Sequence, residues 1–361
     1  MSDRPSQSAE SDRSSGSVSG SMSNSRLRIY PVPAGAVLHD GPVVRVRIAG
    51  DDLWHEVPTY RVRVNMHDVT EASMAYFDFD GTVEVEIAER GWCYFYTADI
   101  RPLSLGITLN VEPRRASFTL AEPANLSVEI NRDRAHNLHL FAGSLSRADE
   151  LDGADIKADV VVEGRMNGPN TLGRDVLQRL NAMRRGDRFD DLYLDGIRVK
   201  SERTEEVFTD GIDRDDSDPG HTAADPDRNL IIRVKPGHYC IEDGVLSLPS
   251  HTTLIIEGGA ILEGALRVDH AEAVRIMGRG LLYLADFKRF SGTCAITVVF
   301  SRSVTIDGLC CINPPHYTVM LGSSQSRLQS DSRWRHRTCA RGRCRHRRWL
   351  GGGAVHDRRI R

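Results

Sequence analysis

The carboxylate-rich run Thr209-Asp210-Gly211-Ile212-Asp213-Arg214-Asp215-Asp216-Ser217-Asp218 is the first place to look for chemistry. Carboxylates set so closely could hold a hard cation, or share the work of general acid and general base. Either job needs a rigid element beneath them to fix their separation. The neighbouring Pro219-Gly220 and Asp225-Pro226 pairs form turns instead, so the run reads as a solvated acidic loop.

Other reactive residues are sparse. Cys339, Cys344 and His346 lie close in sequence without a recognised zinc spacing, and no metal is expected. Cys310 and Cys311 sit side by side in an apolar, strand-like run, which suits small core residues better than ligands. No helical period follows Gly278-Arg279-Gly280, so it is not a phosphate loop, and no cofactor is expected. His316 and Tyr317 set an aromatic ring beside a polar group, which could stack on a sugar but better suits a packed coil corner.

The elements that must position these residues come in two kinds. Between about residues 27 and 142, short alternating apolar stretches recur: Val44, Val46, Ile48; Tyr60, Val62, Val64; Val83, Val85, Ile87; Leu126, Val128, Ile130. Period two, broken by Gly, Pro, Asn and Asp, predicts antiparallel strands with one wet face, arranged as a β-sandwich. From residue 229 to 326 the pattern changes. Leu254-Ile255-Ile256-Glu257-Gly258, Val274-Arg275-Ile276-Met277-Gly278 and Val304-Thr305-Ile306-Asp307-Gly308 share an apolar-x-apolar-x-Gly form, and none could bury a face alone. Such repetition predicts the stacked coils of a parallel β-helix, with glycines turning the corners. The fold class expected is all-β: an N-terminal β-sandwich followed by an incomplete right-handed parallel β-helix. Residues 143–228, rich in Asp, Arg and Gly, read as an insertion or linker. It would carry one helix at Val176, Leu177, Leu180 and Met183, after an N-cap at Asn170.

Both ends differ from this body. Residues 1–26 hold eleven serines and no apolar run fit for a signal peptide or a membrane span, which predicts a disordered tail and a cytoplasmic location. Seven irregularly spaced cysteines agree with a reducing compartment. Residues 327–361 contain twelve arginines, no lysine and two acids, a charge of +10 against −13 for the preceding 326 residues. A basic tail can bind nucleic acid. This one mixes Arg with Trp, Cys, His and a Gly351-Gly352-Gly353 run in no period, and the chain has only four lysines. Out-of-frame reading of GC-rich DNA gives such a composition, so the tail is expected to be aberrant. Neither a membrane nor a nucleic-acid partner is expected.

The coil residues carry a resemblance. Pro249-Ser250-His251-Thr252-Thr253-Leu254, Glu257-Gly258-Gly259-Ala260, Val274 to Gly280 and Asn313-Pro314-Pro315-His316-Tyr317-Thr318-Val319 follow one another as in the opening coils of glycoside hydrolase family 28. That is the polygalacturonase family, within the pectin-lyase-like β-helix group. Upstream, Ala72 to Asp78, Asn125 to Asn131 and His136 to Phe141 resemble the β-sandwich of bacterial relatives. The plan is also similar to glycoside hydrolase family 49, the dextranase and isopullulanase group. The resemblance implies a polysaccharide or oligosaccharide substrate, with Asn313, His316 and Tyr317 as substrate-binding residues. It also implies inverting hydrolysis by one carboxylic acid and one carboxylate base. In the family, the motifs that supply them follow the Asn-Pro-Pro coil; here the Arg-rich segment stands at that place. The catalytic residues are left unassigned, and three classes stay open: a truncated glycosidase without activity, a non-catalytic carbohydrate-binding module, and a basic-tailed nucleic-acid binder.

Overall fold

The computed structural model describes residues 25–64, 69–91, 94–152, 156–173, 192–194, 197–200 and 229–328. The acidic run at 209–218, the helix expected at Val176 to Met183 and the Arg-rich segment beyond 328 lie outside them. Among the described residues the structure is almost wholly β, with one α-helix, Leu145–Asp152. All four alternating stretches are strands, and they build two facing sheets. One sheet runs Arg26–Arg28, Thr70–Asp80, Leu138–Ser144, Ala124–Ile130, Ala98–Arg101, with Thr59–Val64 also paired to Thr70–Asp80. The other runs His55–Val57, Pro42–Ile48, Val83–Glu89, Arg115–Leu120, Asn110–Glu112. Val44, Val46, Phe77, Val85, Phe118 and Leu140 fill the space between them, as alternate inward residues of a sandwich must. Its first strand begins at Arg26, inside the stretch expected to be tail, and pairs with Asp78 to Asp80.

The expectation of one wet face fails for the first sheet. Strand Thr70–Asp80 is buried on both sides from Ala72 to Phe79. Ala75, Phe77 and Phe79 face the sandwich core, whereas Ala72, Met74 and Tyr76 join Tyr60, Val62 and Val64 in a second cluster with Ile261, Leu281, Cys310 and Ile312. Those last four belong to the outside of the β-helix. Alternation alone cannot tell a dry second face from a wet one when the covering residues lie about two hundred positions away.

The β-helix is built from parallel rungs. Val160–Glu163, Leu230–Val234, Thr252–Ile256, Val274–Gly278 and Arg302–Asp307 pair in succession on one side. Pro169–Leu172, Gly237–Ser247 and Ala260–Asp269 pair on the other, where the last of them meets both Leu281–Tyr283 and Ile296–Val299. Leu254, Ile276, Leu262, Leu282 and Val304 lie in one continuous apolar column. Coils therefore begin inside the stretch expected to be a linker. Asn170, expected as a helix N-cap, is a fully buried strand residue whose amide nitrogen donates to the carbonyls of Arg165 (3.0 Å) and His238 (2.9 Å). Its partners are backbone groups at a coil corner, which no local pattern announces.

Register and corners differ from the glycine repeat. Val274 to Ile276 and Val304 to Ile306 keep the expected alignment, but Leu254 pairs with Ile276, two places further along. A two-residue offset keeps every side chain on its face, so the apolar pattern cannot report it. Gly278 (φ +128°) and Gly308 (φ +81°) do turn corners. Gly258 has another reason to be bare, since a Cβ there would overlap the ring of Tyr30. Two further corner ladders use other residues in the left-handed region: His251, Ala273 and Ser303 at φ 53–54°, and His270, Phe300 and Ser323 at φ 48–49°.

Helix Leu145–Asp152 continues directly from a sandwich strand and buries Leu145, Ala148 and Leu151. Leu151 covers Ile255 and Met277 on the outside of the rungs. At its end the Arg233 guanidinium donates to the carbonyl of Asp152 at 2.7 Å, satisfying a helix-terminal acceptor. Burial, then the nearby Glu257 carboxylate, pushes the Asp152 carboxyl up to about 6. A carboxyl pKa raised by folding contributes stability below its unfolded value near 4 and loses it as pH rises through 6. We expect Asp152→Asn to be close to neutral at pH 4 and to stabilise by about 2–3 kcal/mol at pH 7.5, since each pKa unit is worth about 1.4 kcal/mol. Urea unfolding of both proteins at the two pH values checks this. A difference that does not grow with pH would refute it.

Candidate functional site

The three residues singled out as substrate contacts fall into two roles. Asn313 sits in the left-handed region (φ 55°), and its side-chain oxygen accepts the backbone N–H of Arg63 at 2.7 Å. Arg63 also donates to the Ala285 carbonyl at 3.2 Å. Asn313 is thus engaged in fastening the last coils to sandwich strand Thr59–Val64. His316 and Tyr317 remain together, ring centroids 4.1 Å apart and edge to face at 72°. His316 is half-buried against the Cys294 thiol, while Tyr317 is 41% exposed. Its backbone carbonyl accepts the Ala295 N–H at 3.0 Å, which fixes where the ring leaves the coil.

Phe290, not anticipated from the sequence, is drawn to the same corner by a bond from its N–H to the Pro315 carbonyl at 3.1 Å and stays exposed. Beyond the corner lies strand Val319–Gly322. Its Met320 pairs across successive coils with Thr297, Arg267 and Ser247, giving a row on the outside of the sheet. Ser247, Arg267 and Met320 are exposed, and Arg267 forms an ion pair with Asp269 at 2.6 Å. Rigid strands, hydroxyl and guanidinium donors, carboxylate acceptors and an aromatic corner are the groups that hold a sugar chain.

The seam between sandwich and helix holds two polar clusters that sequence reading missed. In the first, Asp78, fully buried, accepts from the Arg279 guanidinium (Nε at 2.9 Å) and from the Tyr30 hydroxyl. Tyr30 in turn stacks on Tyr76 at 5.1 Å. In the second, His238 Nε2 and Cys240 Sγ converge on one oxygen of Glu263, at 3.0 and 3.2 Å. Burial, then the bond and the charge of Glu263, pushes the Cys240 thiol up to about 12. Of the adjacent cysteines, Cys310 joins the seam cluster and Cys311 packs against the helix column; both are free thiols. Each pair of faces alternates as a strand must, which agrees with small core residues.

The fold defined by these elements is a β-sandwich packed on a parallel β-helix, the architecture that the coil motifs resemble. No protein-family model and no curated protein matches the chain. A similar solved structure is Dex49A from Penicillium minioluteum, with a TM-score of 0.49 and 12% identity over 83% of this chain and 60% of that one. The chain thus spans less than two thirds of that protein's length. No helix among the described residues is long and apolar enough to cross a membrane.

Proposed function

We propose that the protein binds a polysaccharide through Tyr317 and the row Ser247, Arg267, Thr297 and Met320, as part of a glycosidase of the polygalacturonase-like or dextranase-like kind. The observation that carries this reading is the half-exposed Tyr317 ring, held by His316 at the end of a polar, open sheet. The family-like coil motifs and the sandwich-plus-helix plan support it. Asn313 serves the seam in this reading and does not contact sugar. No described carboxylate is assigned to catalysis.

Calorimetry against galacturonan, rhamnogalacturonan and dextran oligosaccharides tests the proposal. We expect one of them to bind, and Tyr317→Ala to weaken it about fivefold, the loss of one stacking contact of roughly 1 kcal/mol. The thermal midpoint should move little, because the ring packs on His316 and is not part of the apolar column. No heat with any of the three, or equal binding by the variant, would overturn the assignment. New reducing ends released in parallel would show that a carboxylate pair in the chain is catalytic.

A further inference from the structure

The His238, Cys240 and Glu263 cluster is built unlike an ordinary hydrogen-bonded trio. Each residue offers one ligand atom, and the three atoms lie within 4.8 Å of one another. Their positions follow from strand geometry. His238 and Cys240 are two apart on strand Gly237–Ser247 and so share its outer face, while Glu263 on the next coil is the register partner of Cys240. All three are held by paired strands, which fixes their separations.

We propose that these three side chains form a binding site for zinc, or for a divalent transition metal of similar preference, at the seam between the sandwich and the β-helix. The donor set is one imidazole nitrogen, one thiolate sulfur and one carboxylate oxygen. That mixture suits zinc, and sulfur and nitrogen exclude the oxygen-preferring calcium and magnesium. The two spacings to Glu263, 3.0 and 3.2 Å, are short of the separation between ligands around a tetrahedral ion by a few tenths of an ångström, a shift that rotamer adjustment can supply. Half-exposed Cys240 and Glu263 leave one side for the ion to enter and for water to complete its coordination. His238 is 7% exposed, and its ring lies against the chain entering the sandwich, where a Cβ on Gly35 would come within 2.6 Å of Nδ1. The ion would therefore join two adjacent coils beside the sandwich entry segment. Binding replaces the thiol proton and the shared hydrogen bonds on Glu263 with metal–ligand bonds, and the thiol proton leaves to buffer.

Cobalt(II) is the probe, because a thiolate–cobalt bond gives a charge-transfer absorption that carboxylate and imidazole ligands alone do not. The full chain, stripped by chelator, is titrated with cobalt and then with zinc. We expect one equivalent to bind at the cluster with the charge-transfer band, zinc to displace it, and the thermal midpoint to rise on binding. Cys240→Ser should abolish the band, and Glu263→Gln should weaken binding at least about tenfold. Both variants should fold as the parent does without metal, since each replaces a partly exposed group by one of similar shape. A Cys339→Ser/Cys344→Ser double variant should leave the band unchanged. Absence of the band in the parent, or its persistence in Cys240→Ser, would overturn the proposal.

Discussion

Arg279→Met is expected to destabilise the protein by about 3–5 kcal/mol, the cost of leaving a buried carboxylate without its counter-charge. Asp78 is fully buried and Arg279 nearly so, and the two lie 201 residues apart on the two halves of the seam. Burial opposes the charge on Arg279, yet Asp78 and Tyr30 more than offset it and hold the guanidinium further into its charged range. In the variant Asp78 keeps only the Tyr30 hydroxyl among the partners of this cluster. Asp78→Asn should cost a comparable amount, because it leaves the buried Arg279 guanidinium without this counter-charge. The double variant Asp78→Leu/Arg279→Met should recover a large part of the loss, as apolar replacements of buried ion pairs do. Urea unfolding of Arg279→Met, Asp78→Leu and the double variant closes the cycle and measures the coupling. Strictly additive losses would mean that the pair does not join the two halves.

Gly278→Ala is expected to cost about 3–5 kcal/mol, the sum of backbone strain and overpacking. At φ +128° an L-residue is strained whatever its surroundings, and here the added Cβ would overlap the backbone carbonyl of Ile256 on the neighbouring coil. Backbone cannot rotate aside as a side chain can. Gly292→Ala is the control: its φ is +81°, but nothing lies within 4 Å of the new Cβ. It should lose only about 1–2 kcal/mol, the strain alone. Thermal and urea midpoints of the two variants provide the comparison. Equal losses would place the cost in φ and not in the contact between coils.

The same contrast separates what was legible in the residues from what was not. Val44 and Val46, Val83 and Val85, and Leu126 and Val128 mark strands because their period is local. Val274 and Val304 mark rungs because one apolar pattern repeats. Tyr317 stood out as an aromatic beside a polar neighbour, and it is the member of its trio that stays exposed. Asn313, four residues before Tyr317, is engaged by Arg63, and only the approach of strand Thr59–Val64 from 250 positions away made that so. His238 and Cys240 are two apart and visible as a pair, but Glu263 completes the cluster through coil register.

The sequence by itself determined that the alternating stretches of the sandwich and the rungs at Leu254, Val274 and Val304 are strands, that the rungs would stack as coils, and which face of each is apolar, since period and repetition are properties of neighbours along the chain; the rungs at Val160 and Asn170 carried no such signal. The tertiary structure alone decided that the sandwich dries its second face against the helix, that Asp78 meets Arg279, that Leu254 pairs with Ile276, and that three ligand atoms share one corner of the seam. Those outcomes depend on which coil lies against which strand, and a parallel solenoid brings together residues whose separation along the chain carries no local signal.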